Sequence, residues 1–180
     1  MTEPSPSAEQ HTVPAAPPRV AIVTSRYNAS ITDALEHGAR EEFARRAHRG
    51  TVEVISAPGA FELVALSSAA VATGRFAGVC ALGCVIKGDT DHDRYINSAV
   101  AHGLAELASR TGVPVAFGLL TTNDTAQAEA RAGGSSGNKG TEAMGALLDT
   151  IDAINALQRE ADTPTAGGRP DKVTGDRTGR

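Results

Sequence analysis

The chain has 180 residues, 41% of them hydrophobic, and its 17 Lys and Arg against 21 Asp and Glu give a formal net charge of −4. This apolar content supports a packed core and excludes a wholly disordered chain, and the length is typical of one domain. The acidic balance argues against a nucleic-acid binder of the usual electrostatic kind, and no run approaches the ~18–20 apolar residues of a membrane-spanning helix.

Prolines mark both ends of the predicted domain. Five of the nine precede Arg19 and two follow Gln158, and both ends have few large apolar side chains. Such segments cannot repay the entropy of ordering, so residues 1–18 and 160–180 are predicted to be disordered tails around a domain at 19–159. The N-terminal residues have neither the basic start nor the apolar core of a secretory signal, which makes the cytoplasm the expected location.

Between the tails, short apolar runs alternate with helical patterns. A capping box, Ser30-Ile31-Thr32-Asp33, is predicted to open the first helix, and a stripe of apolar residues marks the last one. In chain order we expect strands at 19–24, 51–56, 78–86 and 114–120, and helices at 30–48, 60–72, 91–110, 125–132 and 140–158.

The predicted strands are mostly apolar, and we interpret them as continuous apolar runs and not as alternating ones. This pattern is typical of a parallel sheet that is covered on both faces, so we predict a three-layer α/β sandwich of flavodoxin-like type with a four-stranded parallel sheet. Ligands of such folds bind beyond the carboxyl ends of the strands. Candidate chemistry is therefore expected in segments 24–29, 56–62, 86–93 and 117–124.

The two cysteines fall in the third predicted strand. Four residues of extended chain between Cys80 and Cys84 cover ~13 Å, which exceeds the ~7 Å limit between the Cα atoms of a disulfide. Their spacing also differs from that of metal-binding and redox pairs. Both are predicted to be free thiols buried in the core.

The third strand leads into a possible anion cradle. Gly88, Asp89 and Thr90 precede a helix whose first N–H groups are free to bind phosphate or a carboxylate. Acidic neighbours require a cation there, for which Arg131 and Lys139 are the candidates. The alternative is an ordinary capped helix start, because Asp and Thr are common capping residues.

His92 falls in the first turn of the same helix, where a general acid or base would face a ligand. The alternative is a solvent-exposed histidine in a polar turn. A metal site built from Asp89, Asp91, His92 and Asp93 is disfavoured, since consecutive residues point in different directions and no second histidine lies at ligand spacing.

Aromatic and acidic residues follow two other strands. Tyr27 comes just after the first strand and is placed to stack on a planar heterocycle, while Glu62 is placed to accept hydrogen bonds from a polyol. By position alone, Phe117 belongs to the core of the fourth strand.

The glycine-rich stretch at 131–140 resembles a phosphate-binding P-loop only at first sight. Asn138 interrupts the Gly-Lys pair, and the stretch follows a helix instead of a strand. We predict a flexible loop between helices that could deliver Lys139 to a ligand.

Taken together and in this order, these segments resemble the 6,7-dimethyl-8-ribityllumazine synthases (lumazine synthases) of riboflavin biosynthesis. The matching stretches are SRYN at 25–28, PGAFEL at 58–63, ALGCVIKGDTDH at 81–92, GVPVAFGLLTT at 112–122 and RAGGSSGNKGTEA at 131–143. The resemblance implies a transferase that joins 5-amino-6-(D-ribitylamino)uracil to 3,4-dihydroxy-2-butanone 4-phosphate, releases phosphate and water, and needs neither a metal nor another cofactor.

The resemblance also implies a role for each matching residue. His92 would transfer protons as the catalytic residue. The ribitylaminouracil would be bound by Tyr27, Ala60, Phe61, Glu62, Cys84, Val85 and Ile86, and by Phe117 from a neighbouring subunit. The phosphate would be bound by Gly88, Asp89, Thr90, Arg131 and Lys139.

Assembly is implied as well. Members of the family form homopentamers with active sites between adjacent subunits, and an N-terminal segment can add to a neighbour's sheet. The Gly-Gly and Gly-Asn-Lys-Gly form of the 131–140 loop favours an icosahedral capsid of 60 subunits, for which riboflavin synthase is a candidate partner. Nucleic acid and membrane are not expected partners.

One departure from the family is that Asp93 and Arg94 stand where an aromatic and an acidic residue usually follow the histidine. Asp93 against His92 would favour the imidazolium, and Arg94 would pair with an acid or add to the phosphate field. The departure is compatible with a non-catalytic homologue that binds a ribityl-lumazine or flavin or only forms shells. A flavodoxin-like regulator is disfavoured, because Ser25-Arg26-Tyr27 occupies the strand end where such proteins need an acidic pocket.

Overall fold

The structure is a computed structural model that describes residues 17–47 and 49–162. The N-terminal tail and the segment expected to join a neighbour's sheet therefore lie outside the described residues, apart from 17–18. Of the C-terminal tail, only 160–162 are described, as the last turn of a helix. The domain boundaries stay a prediction.

Four strands form one parallel sheet, with β1 (Arg19–Ser25) and β3 (Gly78–Ile86) inside and β2 (Thr51–Ala57) and β4 (Val115–Thr122) at the edges. The order is β2-β1-β3-β4, and every pairing in this sheet is parallel. The helices between and after the strands are α1 (Ala29–Arg46), α2 (Glu62–Ala72), α3 (His92–Thr111), α4 (Thr125–Arg131) and α5 (Lys139–Asp162). None of the described helices is long and apolar enough to span a membrane.

Helices cover both faces of the sheet, which confirms the predicted three-layer sandwich. Val20 and Ile22 of β1 pack with α1, α4 and α5, whereas Ala21 and Val23 pack on the other face with α2 and α3. Successive side chains of a strand point to opposite faces, so a strand covered on both faces is apolar at most positions. This is why the inner strands β1 and β3 are mostly apolar runs.

The first helix begins differently from the prediction. The capping box at Ser30 is wrong: α1 begins at Ala29, and Asn28 precedes it in the left-handed conformation with φ 60° and no side-chain cap. The carbonyl of Asn28 accepts from the amides of Ile31 and Thr32 at 2.9 and 3.1 Å. The side chain of Asn28 is committed to β3 instead, as described below.

The glycine-rich stretch is also more ordered than predicted. It is a two-stranded antiparallel hairpin, β5 (Ala132–Gly134) with β6 (Gly137–Asn138), instead of a flexible loop. Gly133 and Gly137 adopt φ 108° and 81°, which side chains rarely tolerate. Asn138 ties the hairpin to α1 by donating from Nδ2 to the carbonyl of Ala34 at 2.9 Å.

The cysteines are as predicted: both are free and buried in β3. Burial raises the pKa of the Cys80 thiol to about 12 and that of Cys84 to about 11. A thiol is a poor nucleophile unless it ionises, so neither thiol is activated.

Candidate active site

A cleft of about 500 Å³ lies at the carboxyl ends of β1, β2 and β3. Its walls are the turns that join each of these strands to the next helix, which are three of the four segments where chemistry was expected. The predicted site residues that line it are Tyr27, Ala60, Phe61, Glu62, Cys84, Val85, Ile86, Gly88, Thr90 and His92.

The turn from β1 to α1 is held by side chains on both sides. The Arg26 guanidinium donates to Ser56 Oγ of β2 at 3.0 Å and to Asp33 of α1 at 2.9 Å. Asn28 Nδ2 donates to the carbonyl of Cys84 in β3 at 3.0 Å. Between these two anchors lies Tyr27, whose side chain is 71% exposed at the cleft. An exposed aromatic on a fixed turn is available to stack on a planar ligand.

The turn from β2 to α2 supplies an aromatic ring and a carboxylate. Phe61 is 60% exposed, and Glu62 is the first residue of α2, where the helix dipole favours a negative charge. A Cβ at Gly59 would come within 2.9 Å of Glu62 Oε2, so glycine leaves the space that this carboxylate occupies.

The third wall runs from the end of β3 to the start of α3. Cys84, Val85 and Ile86 line the floor, followed by Gly88, Thr90 and His92, the first residue of α3. Asp89 lies in the same turn, but it is not among the residues that line the cleft. Within the described residues, no three acidic, histidine or cysteine side chains are arranged to hold a metal ion.

The cleft carries negative charge but no permanent positive charge. Glu62 and Asp93 both line it, and no Lys or Arg does so among the described residues. Asp93 Oδ1 is buried and has no hydrogen-bond partner. Such walls favour the N–H and O–H groups of an uncharged ligand and disfavour a phosphate. Arg94 lies elsewhere, in a separate depression with Asp91, Tyr95 and Ser98.

The remaining predicted residues are not brought to this cleft. The prediction from position alone that Phe117 belongs to the core is wrong, because it is 42% exposed on the edge strand β4. There it lines a second depression of about 360 Å³ with Lys139 and Glu142. Arg131 and Lys139 both contact Glu142 Oε2, at 3.2 and 3.3 Å, and Arg131 also donates to the carbonyl of Ser136 at 3.1 Å. Aromatic and cationic groups thus gather at the β4 edge.

Four residues that line the cleft were not among the predicted site residues: Asn28, Gly59, Asp93, which was considered only as a neighbour of His92 and in a disfavoured metal site, and Ile96. Asn28 carried a signal, since asparagine tolerates the left-handed conformation and stands between a strand and a helix. Ile96 lies one turn after His92 on the same face of α3, which the helical period would have indicated.

Comparison with known proteins gives a consistent result. The family model described as 6,7-dimethyl-8-ribityllumazine synthase matches residues 17–155. The chain is 42% identical over 146 residues to 6,7-dimethyl-8-ribityllumazine synthase 1 of Caulobacter vibrioides, which covers 81% of this chain and 95% of the relative. It is 40% identical over 143 residues to the synthase of Helicobacter pylori, covering 78% and 90%, and 42% identical over 140 residues to that of Xanthomonas oryzae pv. oryzae, covering 77% and 91%.

Proposed function

The chain belongs to the 6,7-dimethyl-8-ribityllumazine synthase family, and we propose that it is a transferase of riboflavin biosynthesis that makes this lumazine itself. The substrates are 5-amino-6-(D-ribitylamino)uracil and 3,4-dihydroxy-2-butanone 4-phosphate. The amine of the first condenses with the ketone of the second to a Schiff base with loss of one water, phosphate leaves by elimination, and ring closure releases a second water. No metal or other cofactor takes part in the proposed reaction.

The observation that carries the proposal is the composition of the cleft. Exposed aromatic rings, Tyr27 and Phe61, stand beside a polar wall that contains Glu62 and His92. This combination fits a substrate with a planar heterocycle and a hydroxyl-rich arm. The carboxylate of Glu62 accepts hydrogen bonds from the ribityl hydroxyls, and the backbone of Cys84 to Ile86 holds the edge of the pyrimidine.

Most of the rate enhancement comes from positioning, because holding two substrates in reacting geometry replaces a large effective molarity. His92, at the start of α3, moves protons between the amine, the carbonyl and the leaving groups. A general acid or base of this kind contributes ~10²–10⁴-fold. Removing His92 is therefore less damaging than removing the group that holds the phosphate.

The phosphate side of the site is completed by another copy of the chain. A phosphate needs a cation, and the cleft of one chain is lined by carboxylates, whereas Arg131, Lys139 and Phe117 lie at the β4 edge. We propose homopentamers in which these residues join the Gly88 to Thr90 turn of the adjacent subunit. The pentamers assemble into a 60-subunit capsid in the cytoplasm, and riboflavin synthase is a candidate partner.

Turnover with both substrates tests the proposal, since the lumazine product absorbs and fluoresces. Wild type is compared with His92→Ala and Arg131→Ala, and with Arg110→Ala as a control, whose 75% exposed side chain pairs with Glu106 on α3. We expect product from wild type and the control, a large loss with Arg131→Ala and a smaller loss with His92→Ala. Ligand binding without any turnover would instead favour a non-catalytic binding or shell protein.

The shared site is tested by mixing two inactive chains. A Glu62→Ala/His92→Ala chain lacks the cleft groups, and an Arg131→Ala chain lacks the cation of the neighbour. If each site uses two adjacent chains, co-assembly of equal amounts restores about a quarter of the sites. The cleft comes from a chain with intact cleft groups in about half of the cases, and its neighbour carries Arg131 in about half of the cases. A site contained in one chain would gain nothing from mixing.

A further inference from the structure

Asp93 is the cleft residue whose chemistry the proposed reaction does not use. It is the second residue of α3, directly after His92, and its Oδ1 is buried without a hydrogen-bond partner. A buried acceptor without a donor is costly, and more so when it is charged. Asp93 also lines the cleft, so a donor of a bound ligand is one group that would satisfy this carboxylate when the site is occupied.

A neighbouring side chain shows the same feature. Asn97 lies four residues after Asp93, on the same face of α3, and its Oδ1 is also buried without a partner. Exchanging the amide O and N of Asn97 would offer Asp93 a donor from within the helix. A ligand is thus one source of the missing donor, beside Asn97, water and, in the proposed pentamer, the adjacent subunit.

The charges of the cleft favour a ligand as the source of the missing donor. They also indicate which of the two proposed substrates that ligand is. Glu62 and Asp93 are both carboxylates at the cleft, with no Lys or Arg lining it among the described residues. The butanone phosphate is an anion with few donors, so it gains nothing from these carboxylates and depends on the cations of the adjacent subunit. The ribitylaminouracil is uncharged and rich in N–H and O–H groups.

We propose that Asp93 accepts a hydrogen bond from an N–H or O–H group of the ribitylaminouracil, which makes it a specificity-determining residue of this chain. The proposal rests on the proposed function. The proposal also gives a role to Asp93 as a departure from the family, in which an aromatic residue usually follows the histidine. In this chain a carboxylate that accepts a hydrogen bond replaces the aromatic ring.

The test measures KM for each substrate, and the dissociation constant of the lumazine product by fluorescence titration. The variants are Asp93→Leu, of similar size but without an acceptor, and Asp93→Asn, which keeps one oxygen without the charge. The control is Asp91→Asn, which removes a carboxylate from the same helix start, where it makes no side-chain capping bond.

We expect Asp93→Leu to raise KM for the ribitylaminouracil about tenfold or more, as for a lost charge-assisted hydrogen bond, and Asp93→Asn to raise it by about threefold. KM for the butanone phosphate should stay within about twofold, and the Asp91→Asn control should match wild type. A structural defect would affect both substrates alike, so the contrast between the two KM values identifies recognition.

The proposal is overturned if Asp93→Leu leaves KM for the ribitylaminouracil unchanged, as expected if Asn97 satisfies Asp93, or if it weakens both substrates equally. Failure of the proposed function looks different, because wild type itself would then form no product. In that case the fluorescence titration still compares Asp93→Leu with wild type for binding of the lumazine. Equal binding, or no binding by either, would also refute the role of Asp93.

Discussion

Asn138 connects the hairpin that follows Arg131 to the rest of the chain, so its replacement should affect both stability and the proposed binding of phosphate. Its Nδ2 donates to the carbonyl of Ala34 in α1 at 2.9 Å. Its Oδ1 accepts from the amides of Gly140 and Thr141 at 2.8 and 3.2 Å, which satisfies free donors at the start of α5. The side chain is half-buried, and both ends of its amide are hydrogen-bonded.

The expected cost follows from these contacts. Asn138→Ala loses a helix cap, worth about 1 kcal/mol, and the hydrogen bond to α1, worth about 1 kcal/mol, so the free energy of unfolding should fall by about 2 kcal/mol. Asn138→Ser keeps a capping oxygen but cannot reach α1 with a donor, and should lose about half as much. Gly38→Ala should disturb the same amide from the other side, because its Cβ would come within 2.6 Å of Asn138 Nδ2.

Urea unfolding at one fixed protein concentration measures these differences, since assembly makes stability depend on concentration. The kinetic consequence is specific: loosening the hairpin displaces Arg131, so Asn138→Ala should raise KM for the butanone phosphate more than KM for the ribitylaminouracil. An unfolding midpoint equal to that of wild type would refute the structural reasoning. Equal effects on the two KM values would refute the link to the phosphate.

Three further predictions concern stability and thiol chemistry. Gly140→Ala should destabilise the chain by about 2 kcal/mol or more, because its Cβ would collide with a backbone carbonyl of α1, whereas Gly145→Ala has room and should gain up to about 1 kcal/mol of helix propensity in urea unfolding. A hydrogen bond from Arg46 of α1 lowers the pKa of Asp149 below its usual value of 3.8. The ion pair therefore stabilises the fold above pH 3.8, and this contribution is lost as the pH falls through the lowered pKa. On acidification, the urea concentration at the unfolding midpoint should therefore fall less for Asp149→Asn than for wild type. An equal fall would contradict a stabilising role for the ion pair. Burial raises the pKa of the Cys80 thiol to about 12 and that of Cys84 to about 11, so neither should react with a thiol reagent at about pH 8 until urea is added.

The sheet could be predicted from the sequence because burial on both faces leaves a direct mark. The inner strands β1 and β3 are mostly apolar runs, and β3 matches its predicted bounds at 78–86, whereas the edge strand β2 also carries Thr51, Glu53 and Ser56. The start of α1 could not be predicted in the same way. Asn28 and Ser30 are both suitable residues for a helix start. The helix begins after Asn28, whose side chain donates a hydrogen bond to the carbonyl of Cys84, 56 residues away in the sequence. Capping rules consider only near neighbours, so such a contact lies outside them.

The cleft was partly predictable for a related reason. Parallel strands end at one edge of the sheet, so residues that follow different strands, such as Tyr27 and His92, are expected to meet. The buried oxygen of Asp93 depends on how α3 packs, and the pairing of Arg131 with Glu142 depends on the hairpin. Packing of this kind is not encoded in the spacing of residues along the chain.

The separation of charges is a physical reason why a site for the two proposed substrates would be better divided between chains than contained in one chain. An uncharged, donor-rich substrate suits the carboxylates of the cleft, while a phosphate needs cations, and placing both sets in one small cleft would pair them with each other instead of with ligands. The chain keeps them apart, with Glu62 and Asp93 at the strand ends and Arg131 and Lys139 held by Glu142 at the β4 edge. Each chain therefore folds with Arg131 and Lys139 paired to Glu142. In the proposed pentamer, the opposite charges meet only where two subunits join, and there the phosphate competes with Glu142 for Arg131.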